Sequence, residues 1–417
     1  KCDWSSDVCS SDLPNNRNQR HPDDPRDPPH EPEPAEATKE EHHEEQPDRN
    51  RNHRGVHRHG LRREQTTWRH PLRHEVAIAI EHLLWAANSA HKYLKTEGRS
   101  SGLLMFNIRA AVAHIPFGVV GVIGPWNYPM FTPMGSIAYA LAAGNTVVFK
   151  PSEFTPGVGK MLEDSFNKIS KLPYVLQTVT GIGDTGKALC ESAISKLAFT
   201  GSTRTAKKVA AACAERMIPV ILECGGKDPV LVAADADLKL AAEYTLWSAM
   251  ANAGQSCIGA ERVYVVEQVA EKFIATISEM AKKLKVDEQY GPATMPSQLN
   301  VIQDHINDAA EKGAKFVVGG RDSVKAPFVE PVIMIDVPEN SSAMTEETFG
   351  PTLAINRVEN IEQAIELSNR SKYGLAAAVF SKRNGEKIAA KLTCGMVSVN
   401  SVFSFAFSVF CIYSFNC

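Results

Sequence analysis

Residues 119–153 read VVGVIGPWNYPMFTPMGSIAYALAAGNTVVFKPSE, and this stretch decides the fold class. The apolar run Val119–Ile123 is closed by a Gly-Pro pair, which predicts a strand that runs into a turn. A helical pattern follows over residues 133–143, and a second apolar run over residues 146–149 ends at a Lys-Pro pair. The order strand, turn, helix and strand is typical of a parallel sheet with helices on its faces.

The same order repeats along the chain. Strand patterns occur at residues 175–180, 196–199, 220–223, 262–267 and 316–318. Helix patterns occur at residues 76–94, 187–195, 205–214, 238–252, 270–283 and 298–312, and both types alternate over 361–399. The sequence therefore predicts an α/β protein with two α/β domains.

The composition excludes several classes of protein. Among 417 residues, 45 Lys and Arg balance 48 Asp and Glu, which gives no electrostatic case for nucleic-acid binding. The nine cysteines show no C-x-x-C spacing, which argues against a disulfide framework or a zinc or other metal site. No signal peptide is visible, and the apolar stretch 402–417 is too short to span a bilayer. We expect a cytoplasmic protein without membrane contact.

Residues 1–75 differ from the rest, because they hold most of the 13 His and few apolar residues. So few apolar side chains cannot offset a backbone ordering entropy of about 1–2 kcal/mol per residue. We predict that this head is disordered or not native to the protein. Two weaker interpretations stay open. The histidines His53, His57 and His59 could bind a metal, and the basic residues over 49–73 could form an arm that binds nucleic acid.

Three turns that follow strands offer groups to a nucleotide. The turn GIGDTG at 181–186 fits the dinucleotide pattern G-x-G-x-x-G, with a structural tight turn as the alternative. FTGST at 199–203 offers Ser202 either to a phosphate or as a helix N-cap. KPSE at 150–153 sets a cation beside Glu153, whose carboxylate suits a ribose diol; a solvated turn is the alternative.

Cys257 is the candidate nucleophile, because it follows a helix end that contains Gly254 and a thiolate is an effective nucleophile. A buried, inert thiol is the alternative. No Ser/His triad pattern is present, so we expect the general base to be a carboxylate or a lysine. Glu223, at a strand end before two glycines, is the candidate; a surface acid is the alternative.

Six motifs together resemble the NAD(P)-dependent aldehyde dehydrogenase superfamily over about residues 76–407. They are GPWNYP (124–129), KPSE (150–153), FTGST (199–203), LECGGKDP (222–229), GQSC (254–257) and EETFGP (346–351). The resemblance implies a variant Rossmann NAD-binding domain over 76–101 and 115–225 that lacks its N-terminal part. It also implies an oligomerisation arm at 102–114, a catalytic domain over 226–407 that lacks its C-terminal part, and an aberrant tail at 408–417.

The resemblance also assigns roles to residues. Cys257 matches a nucleophile that forms a thiohemiacetal and then a thioester. The side-chain amide of Asn127, with the backbone N–H of Cys257, matches an oxyanion hole, and Glu223 matches the base that activates water. The implied cofactor contacts are Lys150 and Glu153 to the adenosine ribose, Ser202 to the diphosphate, Glu347 to the nicotinamide ribose, Phe349 beside the nicotinamide, and Trp126 and Gly201 in the same site.

These roles imply oxidation of an aldehyde to a carboxylic acid with NAD, by an enzyme that is a homo-oligomer when intact. Glu153 favours NAD over NADP, because a carboxylate repels a 2′-phosphate. In this family the turn at 181–186 is expected to be structural. Two alternatives stay open: a CoA-acylating enzyme, against which Glu223 argues, and a catalytically inactive remnant with a binding or structural role.

Overall fold

The computed structural model describes residues 71–402, with side chains from Glu75 onward. Most of the predicted head and all of the predicted tail at 408–417 lie outside these residues. Within residues 71–402, none of the helices is long and apolar enough to cross a membrane.

The first half of the described chain alternates short strands with helices. Its elements are α1 (Pro71–Tyr93), β1 (Glu97–Arg99), β2 (Ala110–Val112), β3 (Val119–Ile123), α2 (Phe131–Ala142), β4 (Thr146–Lys150), α3 (Pro156–Ile169), β5 (Leu176–Thr178), α4 (Gly183–Glu191), β6 (Lys196–Thr200), α5 (Thr203–Ala214) and β7 (Val220–Glu223).

The second half continues in the same manner. Its elements are β8 (Asp228–Val232), α6 (Leu238–Met250), β9 (Ala260–Val266), α7 (Glu267–Ala281), α8 (Gln298–Glu311), β10 (Lys315–Val318), β11 (Val324–Lys325), β12 (Phe328–Val329), β13 (Val332–Ile335), α9 (Ser342–Thr345), β14 (Thr352–Val358), α10 (Ile361–Asn369), β15 (Ala376–Phe380), α11 (Gly385–Ala389) and β16 (Met396–Val399).

The first half forms a five-stranded parallel sheet in the order β5-β4-β3-β6-β7. Helices α1, α2 and α3 pack on one face and α4 and α5 on the other. The apolar strand runs therefore meet helices on both sides, as the sequence predicted.

The second half forms a seven-stranded sheet in the order β10-β13-β14-β9-β8-β15-β16. Every neighbouring pair is parallel except β10 and β13, which are antiparallel. Strands β8, β9 and β15 are buried along their whole length, with apolar clusters on both faces of the sheet. The predicted α/β fold class is confirmed. Strands β7 and β8, which flank the predicted domain boundary, belong to different sheets; the domain division itself stays a prediction.

The predicted arm at 102–114 is only partly extended. Leu103–Met105 is a turn of 3-10 helix, and β2 pairs antiparallel with β1 as a separate two-stranded sheet. A second small sheet joins β11 and β12. Near the turn, Leu103, Leu104 and Phe106 are 89%, 94% and 86% exposed.

The predicted C-terminal boundary of the head, residue 75, lies a few residues inside the first helix of the fold. Helix α1 begins at Pro71, so residues 71–75 are helical rather than disordered. Glu75 is buried, and its carboxylate accepts hydrogen bonds from the backbone N–H of Met130 (2.5 Å) and Phe131 (3.0 Å). It caps the N-terminus of α2, whose own N-cap residue supplies no side-chain bond. A compositional boundary cannot detect such a long-range contact.

The sequence patterns also missed strands β8, β13 and β14. Strand β8 opens with Asp228 and Pro229, a pair that normally indicates a turn. In the structure the Asp228 carboxyl is buried and accepts a hydrogen bond from the backbone N–H of Ala376 at 3.2 Å. The tertiary structure thus overrides the local turn preference.

Candidate active site

A large cleft opens at the carboxyl ends of strands β3, β4, β6 and β7, and its empty volume, including the open mouth, is about 2050 Å³. Ligands of parallel α/β proteins bind at this end of the strands. Nine of the ten predicted site residues line the cleft: Trp126, Asn127, Lys150, Glu153, Gly201, Ser202, Cys257, Glu347 and Phe349. The tenth, Glu223, ends β7 immediately before Cys224, which lines the cleft.

Cys257 follows a tight turn, Ala251–Gly254, that comes directly after α6. Asn252, Ala253 and Gly254 all have positive φ angles, of 52°, 57° and 70°. A Cβ at position 254 would overlap the carbonyl of Gly350, so this position requires glycine. The turn carries the chain out of the helix and delivers the thiol to the cleft.

The surroundings of Cys257 keep its thiol protonated. Burial, followed by the nearby carboxyl groups of Glu347, Asp228 and Glu223, raises the pKa of Cys257 to about 12. Low dielectric and negative charge both disfavour a thiolate. The thiol must therefore lose its proton as it reacts, or a positive charge must first arrive beside it.

Asn127 is tied to the same turn by two hydrogen bonds. Its side-chain Nδ2 donates to the backbone oxygen of Gln255 at 3.0 Å, and its own backbone oxygen accepts from Asn252 Nδ2 at 3.0 Å. The loop after β3 and the turn before Cys257 are thus joined through two asparagine side chains. This arrangement fixes an amide donor and a thiol on one wall of the cleft.

Glu223 is a partly buried carboxyl at the end of β7, and burial raises its pKa to about 7. It acts on the thiol electrostatically, since its charge contributes to the raised pKa of Cys257. A carboxyl with this pKa exchanges protons near neutral pH, which suits general acid–base chemistry.

The opposite end of the cleft carries the predicted nucleotide contacts. Lys150 is buried; its Nζ donates to the Pro151 carbonyl at 3.1 Å and lies 3.6 Å from a carboxylate oxygen of Glu153. Ser202 lines the cleft, and its hydroxyl accepts from the backbone N–H of Thr205 at 3.3 Å as the N-cap of α5. The N-cap interpretation of Ser202 is confirmed, and its contact with a phosphate stays a prediction.

Gly183 and Gly186, from the pattern at 181–186, also line the cleft. They lie in the first turn of α4, the end at which backbone N–H groups are free of intrahelical partners. Part of this stretch therefore lines the cleft, and its expected structural role stays a prediction.

Glu347 is folded against Gly225 and Gly226 so closely that a Cβ on Gly225 would overlap its carboxyl. Burial, and then the charge of Glu261, raises the pKa of Glu347 to about 8. Its Oε1 is buried without a hydrogen-bond partner among the described residues. A buried acceptor in this state, on the wall of a cleft, suits a ligand hydroxyl.

Phe349 stands beside Glu347 with a backbone φ of 55°. Its ring meets that of Trp126 edge-on, at 5.5 Å between centroids and 83° between planes. The two aromatic side chains belong to segments more than 200 positions apart in the sequence, and the contact closes one side of the cleft.

Lys227 and Glu261 were not among the predicted site residues. Both are charged and buried, at 1% and 7% exposure, and they form an ion pair behind the segment that carries Glu347 and Phe349. The available signal was the Glu-Arg pair inside the apolar strand β9, because buried charges require partners.

The geometry agrees with the comparisons to known proteins. A family model described as the aldehyde dehydrogenase family matches residues 51–411. The chain belongs to the aldehyde dehydrogenase family. This match extends beyond the residues 76–407 over which the motifs predicted the resemblance.

Known aldehyde dehydrogenases match the chain over most of its length. It is 36% identical to the 4,4'-diapolycopene aldehyde oxidase of Methylomonas sp, over 79% of this chain and 63% of the relative. It is 34% identical to the chloroplastic betaine aldehyde dehydrogenase of Atriplex hortensis, over 78% of this chain and 68% of the relative. The structure of Escherichia coli lactaldehyde dehydrogenase superposes with a TM-score of 0.75 at 30% identity, over 79% of this chain and 71% of that one.

The chain thus spans less than two thirds of the length of the first of these curated relatives. Members of the family oxidise aldehydes and use NAD or NADP.

Proposed function

We propose that this chain oxidises an aldehyde to a carboxylic acid with NAD, through a thiohemiacetal and a thioester on Cys257. The proposal is carried by the coupling of Cys257 to Asn127, whose side-chain amide is hydrogen-bonded to the turn that delivers the thiol. A thiol and an amide donor fixed on one wall suit attack on a carbonyl, with stabilisation of the oxyanion that forms.

The rest of the cleft fits a dinucleotide. The unpartnered Oε1 of Glu347 offers an acceptor to one ribose, and the half-exposed carboxylate of Glu153 offers an acceptor to the other. Ser202 and the N-terminus of α5 offer donors to a diphosphate. The Glu153 carboxylate repels a 2′-phosphate, which favours NAD over NADP. NAD, when bound, supplies the hydride acceptor for the carbon attached to Cys257.

Cys257 performs the first step. Its sulfur bonds to the aldehyde carbon while the thiol proton passes to solvent water, because a group with a pKa of about 12 is protonated at neutral pH. The new alkoxide accepts hydrogen bonds from the Asn127 side-chain amide and the Cys257 backbone N–H. Loss of hydride from that carbon leaves a thioester on the sulfur.

Glu223 performs the second step. Its pKa of about 7 leaves a substantial fraction ionised at neutral pH, so it can accept a proton from water as the water oxygen attacks the thioester carbon. The carbon–sulfur bond then breaks, the proton passes to the Cys257 sulfur, and the carboxylic acid leaves. This role favours hydrolysis over acyl transfer to CoA.

The assembly and the location of the protein belong to the same proposal. Three apolar side chains of the 102–114 segment, Leu103, Leu104 and Phe106, are almost fully exposed and suit an interface between copies of the chain. We place the NAD-binding and catalytic domains on either side of residues 225–226. The absence of C-x-x-C spacing among the nine cysteines supports a cytoplasmic location.

The test mixes the purified chain with NAD and hexanal and follows the absorbance of NADH. The Cys257→Ser variant is expected to lose turnover by about 10⁴-fold or more, because the nucleophile starts every step. Cys224→Ser is the matched control, since this thiol also lines the cleft. We expect its turnover to stay within about threefold of the parent.

Other outcomes separate the alternatives. Absence of turnover, together with no rise in Tm on addition of NAD, would favour the catalytically inactive remnant. Product formation that requires CoA would favour the acylating enzyme. Turnover that survives Cys257→Ser but not Cys224→Ser would remove the assigned nucleophile.

A further inference from the structure

The buried ion pair between Lys227 and Glu261 has no part in the mechanism above. Lys227 follows Gly226 at the end of the LECGGKDP motif, and Glu261 lies on β9, four residues after Cys257. Removing two charges from water is unfavourable unless many hydrogen bonds compensate for it. The identity of those bonds therefore indicates what the pair does.

Glu261 is bonded mainly to one backbone segment. Its carboxylate accepts from the backbone N–H of Thr348 at 2.9 and 3.1 Å and from that of Phe349 at 3.0 Å, as well as from Lys227. Lys227 Nζ also donates to Thr348 Oγ1 at 3.1 Å. Both members of the pair therefore hold Thr348, which lies between the predicted cofactor contacts Glu347 and Phe349.

Helix α8 holds the same segment from the other side. Gln298 Nε2 donates to the Thr348 carbonyl at 2.7 Å, and His305 Nδ1 lies 3.0 Å from Thr348 Oγ1. Thr348 is 2% exposed, while Glu347 before it and Phe349 after it line the cleft. Thr348 thus anchors a segment whose two neighbours are in contact with the cleft.

The segment needs this support because Phe349 is in the left-handed region, with φ at 55°. A bulky residue adopts this conformation only when its surroundings impose it. One of the two N–H groups bound by Glu261 is that of Phe349 itself, whose nitrogen begins the strained φ bond, and the other is that of Thr348, one residue earlier. Without the carboxylate, the backbone is free to relax to a negative φ, which would turn the Phe349 ring from Trp126.

We propose that Lys227 and Glu261 are positioning residues that fix the 347–349 segment so that Glu347 and Phe349 face the bound nicotinamide ribose and ring. The inference deepens the proposed function and rests on it. The alternative is that the pair only stabilises the sheet, in which case its loss lowers Tm without a selective effect on the cofactor.

The test uses Glu261→Gln, with Glu339→Gln as the control. Glu339 also ties β9 to β14, through Tyr264 (2.9 Å) and Asn356 (2.8 Å), but it lies outside the cleft wall. For Glu261→Gln we expect KM for NAD to rise about tenfold or more, with kcat within about threefold. Glu339→Gln is expected to change Tm but not KM for NAD.

A second pair of variants separates charge from position. Lys227→Met leaves Glu261 unpaired and is expected to lower Tm, whereas the double variant Lys227→Met/Glu261→Gln is expected to recover Tm. If the pair positions the segment, KM for NAD stays high in the double variant. A KM that recovers together with Tm would overturn the inference, as would an unchanged KM in Glu261→Gln.

Failure of the proposed function gives a different result. If the parent chain does not bind NAD by calorimetry, the amides of Thr348 and Phe349 still report on the segment through hydrogen exchange. Faster exchange at these two amides in Glu261→Gln, with the rest of β9 protected as in the parent, supports positioning. Equal protection in the two proteins overturns it.

Discussion

The two ends of the cleft differ in how far their carboxyl groups are exposed to water. The nucleotide end carries a helix N-cap, Ser202, and the pair Lys150–Glu153, whose carboxylate side chain is 44% exposed. The chemical end holds Cys257, Glu223 and Glu347, and burial raises their pKa values to about 12, 7 and 8. The predicted nucleotide end keeps one carboxylate, on Glu153, partly in contact with water. At the chemical end, burial favours the protonated forms of all three groups.

This difference has a consequence for stability. The pKa of Glu223 is raised by burial from its ordinary value of 4.5 to about 7 in the folded state. Because the folded value exceeds the unfolded one, the stabilisation is fully present below pH 4.5 and is lost as the pH rises through 7. At about pH 8 the partly buried Glu223 carboxylate is therefore expected to destabilise the fold relative to acidic pH.

Glu223→Gln removes the proposed proton acceptor and should have the largest effect on this contrast. We expect kcat to fall about 10²–10⁴-fold, since glutamine cannot accept a proton from water. Single-turnover NADH formation should persist, because the thioester still forms. The folded state should gain about 1–3 kcal/mol at about pH 8, and this gain should vanish near pH 4.5. An unchanged steady-state rate would refute the assigned role.

Asn127→Ala removes the side-chain donor from the oxyanion site. We expect a loss of about 10²–10³-fold in kcat with little change in KM for NAD. Asn252→Gly is the matched control: glycine tolerates the positive φ of Asn252 and removes the side chain that holds the backbone of Asn127, and Asn252 lies outside the cleft wall. An equal loss in both variants would indicate that Asn127 acts only through the loop.

The thiol of Cys257 should respond to charge in its surroundings. The Glu347 carboxyl is the largest of the charges that raise its pKa. In Glu347→Gln we expect alkylation by iodoacetamide to be about tenfold faster at about pH 9, because a lower pKa increases the thiolate fraction. Peptide mapping of the labelled site provides the measurement. An unchanged rate would mean that the charge of Glu347 does not contribute to the pKa of Cys257.

Glu153→Gln tests the nucleotide end and should have the smallest effect. Loss of the carboxylate frees Lys150 from its ion pair and removes the repulsion of a 2′-phosphate. We expect the ratio of kcat/KM for NADP to that for NAD to rise roughly tenfold, or ~1.4 kcal/mol. Glu163→Gln, on α3 in an ion pair with Lys160 and outside the cleft wall, provides the control. A ratio that does not move would assign the preference to other groups.

The sequence predicted the parts of the fold that local patterns encode. The apolar runs of β3 and β4, each of which ends at a turn that contains proline, predicted the parallel sheet. The runs also placed Lys150 and Asn127 at the edge where the cleft opens. The roles of the residues came from the combination of six motifs, which no single motif could supply.

The rest depends on long-range contacts. Strand β8 opens with an aspartate and a proline, and only its partners β9 and β15 make it a strand. Lys227 and Glu261 are 34 positions apart, and both look like surface charges until the fold brings them together. The segment 71–75 was likewise assigned to the head, because composition does not reveal which carboxylate will cap a helix.

That carboxylate, on Glu75, sets a limit on how far the chain can be trimmed. A shortened protein that starts at residue 76 would retain every strand of both sheets. It would nevertheless leave two amides at the start of α2 uncapped, only three residues after Asn127. We expect such a protein to retain its fold but to hold Asn127, the proposed oxyanion donor, on a frayed loop. The useful place to cut the His-rich head is therefore ahead of α1, several residues before its change in composition.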